Sequence, residues 1–352
     1  MPGIDIIVIG ASAGGVNALQ ILVSLLPANI ASAVFVVMHT SPDGPGLMPQ
    51  ILNTAGPLLA SFGQDGEQFQ MGRIYVAPPD HHLLIEAPGT IRVTRGPKEN
   101  RFRPAIDPLF RSAALAFGAR VAGVILTGKL DDGTAGLAAV KRRGGIAIVQ
   151  DPIEAFAPSM PQSALRHVKV DHCVGLEKMA ALLAQLGNEP KLTNPGTTEV
   201  LHMADELAFE VDIASLHNEQ DPSAILKLGE PSLFTCPDCH GTLVQLREKG
   251  PLRFRCHTGH AFTAASLIEA LTESGENTLW SALRIMEEKI MLLRDMAKHL
   301  HDRQDPGGAA KLLGEAQMIL KRAQFVRRAL LVDEQSLTEH HTAQPGIASS
   351  EN

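Results

Sequence analysis

The sequence contains no long apolar run. None of the uninterrupted apolar stretches in its 352 residues approaches the roughly 18 residues that are needed to cross a bilayer. The N-terminus also has no basic region ahead of its first apolar stretch, as a secretion signal would require. We therefore expect a globular protein without a membrane span, located in the cytoplasm.

Positive charge is in short supply. The chain has 31 Lys and Arg residues against 38 Asp and Glu residues, which gives a formal net charge of -7. This balance argues against binding to nucleic acid and against attraction to anionic lipids, because both select for clustered positive charge. We expect no nucleic-acid partner and no membrane insertion.

Cysteine is scarce and unevenly distributed. Only four copies are present, and three of them, Cys236, Cys239 and Cys256, lie in one short segment. This distribution does not favour a disulfide framework, whereas it suits a metal site in a reducing compartment. The isolated Cys173, within VDHCVGL, is interpreted as a packed residue on a buried strand.

Short β-branched runs alternate with amphipathic segments from residue 4 to about residue 186. This alternation predicts an α/β fold with a doubly wound, mainly parallel sheet. Two alternating runs at 83–86 and 91–95 predict an antiparallel hairpin added to that sheet. The predicted divisions are an α/β domain at 1–187, a linker with an acidic helix (199–216) at 188–230, a cysteine-bearing unit at 231–262, a helical hairpin at 263–333 and a disordered tail at 334–352.

The first predicted strand ends in the small-residue stretch IGASAGG. Gly10 to Gly14 fit the pattern G-x-S-x-G, in which a sharp strand-to-helix turn exposes the serine hydroxyl, here that of Ser12. A dinucleotide fingerprint requires glycine at the place of Ser12 and an acidic residue at the end of the next strand, where Met38 and His39 stand. A serine that only caps the following helix remains an alternative.

Two further strand ends supply candidate partners for Ser12. The run AVFVVM ends at His39, and the run VAGVILT leads into a loop with Asp131 and Asp132. Because catalytic groups gather at the carboxyl ends of parallel strands, these side chains form a candidate set of nucleophile, general base and orienting carboxylate. The residues alone do not choose between the two aspartates. His81 and His82 are competing histidines, but they precede the predicted hairpin and not a parallel βα loop.

These segments together resemble the catalytic domain of the chemotaxis receptor methylesterases, the CheB family, over about residues 4–187. The resemblance implies that Ser12 is the nucleophile, His39 the general base and Asp132 the aspartate that orients it. Backbone N–H groups of Ala13 and Lys129 are the candidate oxyanion donors. The resemblance is carried by the motifs VIGASAGG, VVMHTSPD, YVAPPDHHLL, RPAIDPLFRSAA, ILTGKLDDGTAG and VQDPIEAFAPSMPQSA, in the family's order.

The resemblance implies hydrolysis of glutamyl methyl esters on the cytoplasmic helices of chemoreceptors, without a catalytic cofactor, and in some members deamidation of receptor glutamines. Family members of the phosphorelay type carry a receiver domain before this unit. Here the first strand starts at residue 4, so we expect a stand-alone form without control by phosphorylation in cis.

Two positions depart from the family pattern. The family usually has threonine at the place of Ala13, and Met-Gly at the place of Lys129 and Leu130, so the pocket is expected to differ. Two alternative functions therefore stay open: a serine hydrolase or glutamine deamidase for another protein substrate, and a weakly active scaffold that binds signalling partners.

The cysteine segment has the spacing of a four-ligand zinc ribbon: Cys236-x2-Cys239-x16-Cys256-x3-His260. Four protein ligands leave no open position for water, so we expect one structural zinc per chain. His240 and His257 are alternative fourth ligands. Some stand-alone methylesterase-like chains carry a similar unit with Gly-His-Ala after the third cysteine, and this resemblance favours His260.

Two long helices are predicted after the ribbon, at about 264–304 and 309–332. Each carries an apolar stripe with spacings of three and four residues, which is typical of an antiparallel hairpin whose helices cover each other. Binding of chemotaxis or other signalling proteins through the hairpin and the ribbon is a further hypothesis. The stripes are Leu279, Leu283, Met286, Ile290, Leu293, Met296 and Leu300 on the first helix, and Leu312, Ala316, Ile319, Ala323, Val326 and Leu330 on the second.

Overall fold

The computed structural model describes residues 3–189, 201–216, 222–247 and 250–339. The chain divides into two compact units, Met1–Ile268 and Glu269–Asn352. Among the described helices, none combines the length and the apolar character that a bilayer span requires.

The first unit is built on a parallel sheet of seven strands, as the alternation of β-branched runs and helices predicts. The strand order is β3-β4-β2-β1-β7-β8-β9. The elements of this part are β1 Ile6–Ala11, α1 Gly15–Leu25, β2 Ala33–Met38, α2 Met48–Ala55, β3 Leu59–Phe62, β4 Arg73–Val76, β5 His82–Glu86, β6 Thr90–Thr94, α3 Ile106–Phe117, β7 Val121–Ile125, α4 Thr134–Arg142, β8 Ile146–Gln150, α5 Ser159–His167, β9 His172–Val174 and α6 Leu176–Asn188.

Helices cover both faces of this sheet. Successive residues of β1 point to opposite faces, so Ile7 packs with Leu19 of α1 in one core, while Val8 packs with Phe110 of α3 in the other. All six residues of β1 are buried. The doubly wound α/β fold is therefore confirmed, and β1 lies between β2 and β7, which brings the carboxyl ends of these three strands together.

The predicted antiparallel hairpin is confirmed, but its placement is wrong. Strands β5 and β6 pair with each other as a separate two-stranded sheet and do not extend the parallel one. The backbone N–H of Ile85 donates to the Ser112 hydroxyl of α3 at 3.0 Å. Packing against α3 thus replaces the expected pairing with the main sheet.

Part of the predicted linker forms a packed helix, α7 Leu201–Ser215. Val211 and Ala214 of α7 are buried with Leu84 of β5, and Thr94 donates its hydroxyl hydrogen to the Ala214 carbonyl at 2.6 Å. The described part of this segment is therefore not a solvated tether. The predicted helix start at Glu199 lies outside the described residues.

The cysteine-bearing segment folds as a four-stranded antiparallel sheet, with strands in sequence order. Its third strand, β12 (Arg253–Cys256), has a neighbouring strand on each side and carries Arg253 and Arg255, which are buried and pair with Glu210 of α7. Arg255 also pairs with Glu99, which pairs in turn with Arg111 of α3. The strands are β10 Gly229–Thr235, β11 Thr242–Leu246, β12 Arg253–Cys256 and β13 Ala261–Thr263.

These buried ion pairs hold the cysteine-bearing sheet to the α/β part. Removing one partner of such a cluster leaves an uncompensated buried charge, which typically costs about 3–5 kcal/mol of stability. The sheet of β10 to β13, called the ribbon below, is therefore an integral part of the first unit.

The second unit consists mainly of two helices, α8 Ala264–Asp302 and α9 Pro306–Glu339. Leu283, Ile290 and Leu293 of α8 are buried with Ala316 and Ile319 of α9, as the apolar stripes predict. Two stripe positions, Leu279 and Met296, are exposed instead. Helix α9 continues through Glu339, into the predicted disordered tail, and residues 340–352 lie outside the described residues.

The interpretation of Cys173 as a core residue is wrong. The residue is exposed, because β9 has only three residues and forms one end of the strand order. An edge strand has only one neighbour, and the burial expected from a central position is absent.

Candidate active site and metal centre

Ser12 lies directly after β1, where the chain turns sharply into α1. Its backbone N–H donates to the Thr127 carbonyl at 3.0 Å, and its carbonyl accepts from the Gly15 N–H at 2.8 Å. Gly14 has φ 77°, a left-handed conformation that favours glycine. A Cβ on Gly128 would lie 2.9 Å from the Ser12 Cβ, so glycine allows the β7 loop to approach Ser12 closely.

Ser12, His39 and Asp132 form a continuous hydrogen-bonded chain. The Ser12 hydroxyl lies 3.1 Å from His39 Nδ1, and His39 Nε2 lies 2.7 Å from Asp132 Oδ2. Since an ionised carboxylate only accepts, Nε2 carries the hydrogen and Nδ1 is left to accept from the serine hydroxyl. The side chains of His39 and Asp132 are 4% and 2% exposed. This arrangement can take a proton from Ser12 and stabilise the resulting imidazolium.

The ring of Phe102 covers the imidazole of His39. The two ring centroids are 3.8 Å apart, and the planes are inclined by 12°. Ser12 and His39 open into a cleft of about 530 Å³, which Lys98, Arg101 and Phe102 also line. The Ser12 hydroxyl therefore faces a space that a side chain of another molecule can enter, while the His39 imidazole is shielded from water on one face.

Asp132 is surrounded by hydrogen-bond donors. Its Oδ2 also accepts from the Ile106 N–H at 2.7 Å, and its Oδ1 accepts from Asn100 Nδ2 at 2.8 Å and from the Gly133 N–H at 2.9 Å. Burial alone would raise the pKa of this carboxyl, but the hydrogen bonds outweigh burial and lower it. Asp132 therefore remains ionised at neutral pH although it is enclosed.

A second buried carboxyl, Asp107, lies beside Asp132. Asn100 Nδ2 donates to Asp107 Oδ2 at 3.0 Å as well as to Asp132. Burial and the neighbouring Asp132 charge raise the pKa of Asp107 to about 7. Two enclosed carboxylates that share one amide are not both ionised easily, so the negative charge is concentrated on the aspartate that faces His39.

The structure separates residues that the sequence left as alternatives. Asp131 faces away from His39, and its Oδ1 accepts from the Thr263 hydroxyl at 2.7 Å. His82 is buried between the Pro97 carbonyl and the Ala105 N–H, at 2.9 and 3.3 Å. His81 bonds the Pro79 carbonyl at 2.9 Å. Neither histidine therefore contributes to the chain that includes Ser12.

Ala13 follows Ser12 in the chain, and Lys129 follows Gly128, the β7-loop residue that approaches Ser12. Within residues 3–189, neither of their backbone N–H groups donates a hydrogen bond to the protein. The Thr127 hydroxyl donates to the Ala13 carbonyl at 2.9 Å and fixes this turn. Leu130 adopts φ 61°, a conformation that is unfavourable for a branched side chain.

Sequence reasoning missed Asn100 and Phe102. Asn100 precedes Asp132 by 32 residues and lies in the loop before α3. No motif around it predicts a hydrogen bond to the carboxylate. Its φ of 50° is compatible with asparagine, which enters the left-handed region more readily than most residues. That preference indicates a turn, and it does not identify the partner.

Cys236, Cys239, Cys256 and His260 form one cluster, in which the Sγ atoms and His260 Nδ1 all lie within 4.8 Å of one another. The Sγ atoms of Cys239 and Cys256 are 3.6 Å apart, and Cys236 Sγ lies 3.7 Å from His260 Nδ1. The cluster can hold a metal ion. Neither His240 nor His257 belongs to it.

The chain is thus an α/β protein in which a serine, a histidine and an aspartate are hydrogen-bonded to one another at the carboxyl edge of a parallel sheet, an arrangement that serine hydrolases use. A model of the CheB methylesterase family matches residues 7–183, about half of the chain. The chain therefore belongs to the CheB methylesterase family and is an enzyme of that family.

Similar proteins agree with this assignment. A Leptospira interrogans protein, provisionally named protein-glutamate methylesterase/protein-glutamine glutaminase, is 38% identical over 182 residues, 52% of this chain and 94% of that protein. A protein of the same name from Methanosarcina mazei is 33% identical over 183 residues, and the match covers 50% of each chain.

The crystal structure of the Thermotoga maritima CheB methylesterase catalytic domain is 32% identical to this chain. It superimposes with a TM-score of 0.50, which covers 53% of this chain and 100% of that domain. The similarity thus concerns the α/β part. The chain spans only about half the length of the Methanosarcina relative.

Proposed function

We propose that the protein is a protein-glutamate methylesterase that hydrolyses glutamyl methyl esters on the cytoplasmic helices of chemoreceptors. The observation that carries the proposal is the hydrogen-bonded chain of Ser12, His39 and Asp132 at the mouth of an open cleft. The names of the relatives support the same substrate class.

In the proposed reaction, Ser12 Oγ attacks the ester carbonyl while His39 Nδ1 accepts the hydroxyl proton. The tetrahedral intermediate collapses, His39 returns the proton to the methoxy oxygen, and methanol leaves an acyl-enzyme. Water then attacks the acyl group while His39 Nδ1 takes its proton, the bond between Ser12 Oγ and the acyl carbon breaks, and His39 returns the proton to Ser12 Oγ as the glutamate carboxyl group is released. Asp132 keeps the Nε2 hydrogen in place throughout and stabilises the imidazolium.

The backbone N–H groups of Ala13 and Lys129 are the proposed donors to the oxyanion. Ala13 follows Ser12, Lys129 follows the Gly128 that approaches Ser12, and neither N–H donates a hydrogen bond to residues 3–189 of the protein. Backbone donors do not depend on side-chain identity, so the replacement of the family's usual threonine by Ala13 is compatible with this role. Glutamine deamidation would follow the same steps, with ammonia as the leaving group.

The test follows methanol from a purified chemoreceptor cytoplasmic fragment that carries glutamyl methyl esters. We expect continuous release with the wild-type protein, and none from the unmethylated fragment. A fragment with glutamine at the same sites reports ammonia and tests the deamidase activity. Absence of methanol release by the wild-type protein would refute the proposed activity.

We also propose that Cys236, Cys239, Cys256 and His260 bind one structural zinc ion per chain. Ligand atoms around zinc at about 2.3 Å lie about 3.8 Å from each other in a tetrahedron. The observed separations of 3.6 and 3.7 Å fit this requirement. Bound zinc would stabilise the turn between β12 and β13, and with four protein ligands it would leave no open position for the ester or for water.

Metal analysis tests the zinc proposal. We expect about one zinc per chain in the wild-type protein and a marked loss in Cys236→Ser, because one of four ligands is removed. Cys173→Ser is the matched control: this cysteine is exposed and remote from the cluster in sequence, so zinc content should not change. Folded wild-type protein that contains no metal and does not take up zinc would contradict the proposal.

A further inference from the structure

The ribbon packs against the segment that carries Asn100. The backbone N–H of Asn100 donates to the Ala261 carbonyl at 2.8 Å, and the Ala261 N–H donates to the Lys98 carbonyl at 3.2 Å. Strand β13 thus forms backbone hydrogen bonds with residues 98–100. Any displacement of β13 would move Asn100 with it.

The side chain of Asn100 connects the ribbon to the catalytic carboxylate. On the ribbon side, its Oδ1 accepts from the Thr263 N–H at 3.0 Å and from the Ser266 hydroxyl at 3.1 Å. On the other side, its Nδ2 donates to Asp132 and Asp107. An amide has two donor hydrogens and two acceptor positions, so every bonding position is filled. The orientation of the Asn100 amide is also determined, because the Asp132 carboxylate can only accept from Nδ2 and the Thr263 backbone N–H can only donate to Oδ1.

A second bridge runs beside the first. The Thr263 hydroxyl donates to Asp131, the residue next to Asp132 in the chain, at 2.7 Å. Thr263, Ser266 and Asn100 are all buried, with exposed fractions of 0%, 0% and 4%. Water therefore competes little for these hydrogen bonds, and they constrain the aspartate loop through both of its acidic residues.

Two of the candidate metal ligands, Cys256 and His260, are connected to the start of β13. His260 precedes Ala261, and Cys256 ends β12; the Cys256 N–H donates to the His260 carbonyl at 3.0 Å. Arg255 Nη1 also donates to the Gly259 carbonyl at 2.8 Å. A metal held by Cys256 and His260 would fix both ends of this turn, and through it the start of β13.

We propose that the metal-loaded ribbon positions the catalytic carboxylate through Asn100, so that occupancy of the metal site controls turnover at Ser12. The inference rests on the proposed ester hydrolysis and on the proposed metal site. Asn100 is a positioning residue in this scheme, since it contacts Asp132 and not the substrate. Loss of the hydrogen-bond partner of a metal ligand typically costs about 10- to 100-fold in activity, and we expect a similar factor for a partner that orients a catalytic carboxylate.

Variants that keep the metal test the bridge. Asn100→Ala, and separately the pair Thr263→Val with Ser266→Ala, should lower kcat by about 10- to 100-fold with unchanged KM and zinc content. Both should also shift the downfield NMR resonance of the His39 Nε2 hydrogen, which a purely structural role would leave in place. Thr263→Ser keeps the hydroxyl and should restore the wild-type values. Unchanged kcat and resonance in folded, zinc-loaded variants would overturn the proposal.

Chelation of the wild-type protein tests control by the metal. Removal of zinc should shift the same resonance and slow the reaction of Ser12 with a fluorophosphonate probe, and added zinc should reverse both effects. Full reactivity of folded, metal-free protein would overturn the proposed control. If the metal-free protein unfolds, the zinc-loaded variants Asn100→Ala and Thr263→Val with Ser266→Ala decide whether the ribbon positions Asp132. Neither the resonance nor the probe requires a receptor ester, so failure of the proposed substrate is distinguishable from failure of the coupling.

Discussion

Ser12→Ala should lower kcat for methyl ester hydrolysis by about 10⁶-fold, because loss of a serine nucleophile removes the whole covalent route. That factor corresponds to about 8 kcal/mol of activation free energy. Substrate binding should change little, since the hydroxyl is one small group on a cleft of about 530 Å³. Methanol release under single-turnover conditions, together with binding of the methylated fragment, measures the two effects separately.

Ser41 provides the matched control for this prediction. It lines the same cleft as Ser12 and His39. Among the described residues, His39 Nδ1 contacts the hydroxyl of Ser12 and not that of Ser41. Ser41→Ala should retain activity close to that of the wild-type protein. If Ser12→Ala hydrolyses the ester at the wild-type rate, Ser12 is not the nucleophile and the proposed mechanism is wrong.

The sequence was sufficient to predict the sheet and the convergence of Ser12, His39 and the aspartate loop. Both predictions depend on local rules: β-branched runs form the strands, and parallel strands bring their carboxyl ends to one edge. The cysteine spacing likewise predicted that Cys236, Cys239 and Cys256 lie in one cluster, and the resemblance selected His260 as its fourth member. In each case the pattern and the partner lie within short, recognisable motifs.

The contacts between the ribbon and the α/β part could not be predicted in this way. Glu99 and Arg255 are 156 residues apart in sequence and pair in the interior, and Asn100 and Ser266 are separated by 166 residues. Charged residues of this kind are usually exposed, so the sequence alone favours solvated positions. Burial here depends on mutual neutralisation, which only the folded arrangement reveals.

The choice between Asp131 and Asp132 also required the structure. The two residues are adjacent, and one step along a turn redirects the side chain completely. Gly133, at φ 89°, directly precedes α4; Asp132 faces His39, while Asp131 faces the ribbon. The family resemblance selected Asp132, whereas the residue pattern by itself did not.

Asp132→Asn should lower kcat by about 10⁴-fold, as is typical when the orienting aspartate of such a chain becomes an amide. Asp132 receives hydrogens from His39, Ile106, Asn100 and Gly133, so an asparagine must place its own NH₂ against two of them. If the amide NH₂ faces His39, the imidazole must carry its hydrogen on Nδ1, which then donates to Ser12 and no longer accepts its proton. If the NH₂ faces Asn100, buried donors oppose each other, at a cost of about 1–3 kcal/mol.

Asp131→Asn separates this effect from a general disturbance of the loop. An asparagine at this position still offers Oδ1 to the Thr263 hydroxyl, so activity and stability should remain close to those of the wild-type protein. kcat for methanol release and urea unfolding, measured on both variants, give the comparison. Equal losses of kcat in the two variants would show that loop integrity, and not the carboxylate that faces His39, limits the reaction. A loss confined to Asp132→Asn would show that the reaction needs the negative charge of Asp132 beside His39 Nε2, because Asp131→Asn makes the same chemical change one residue away.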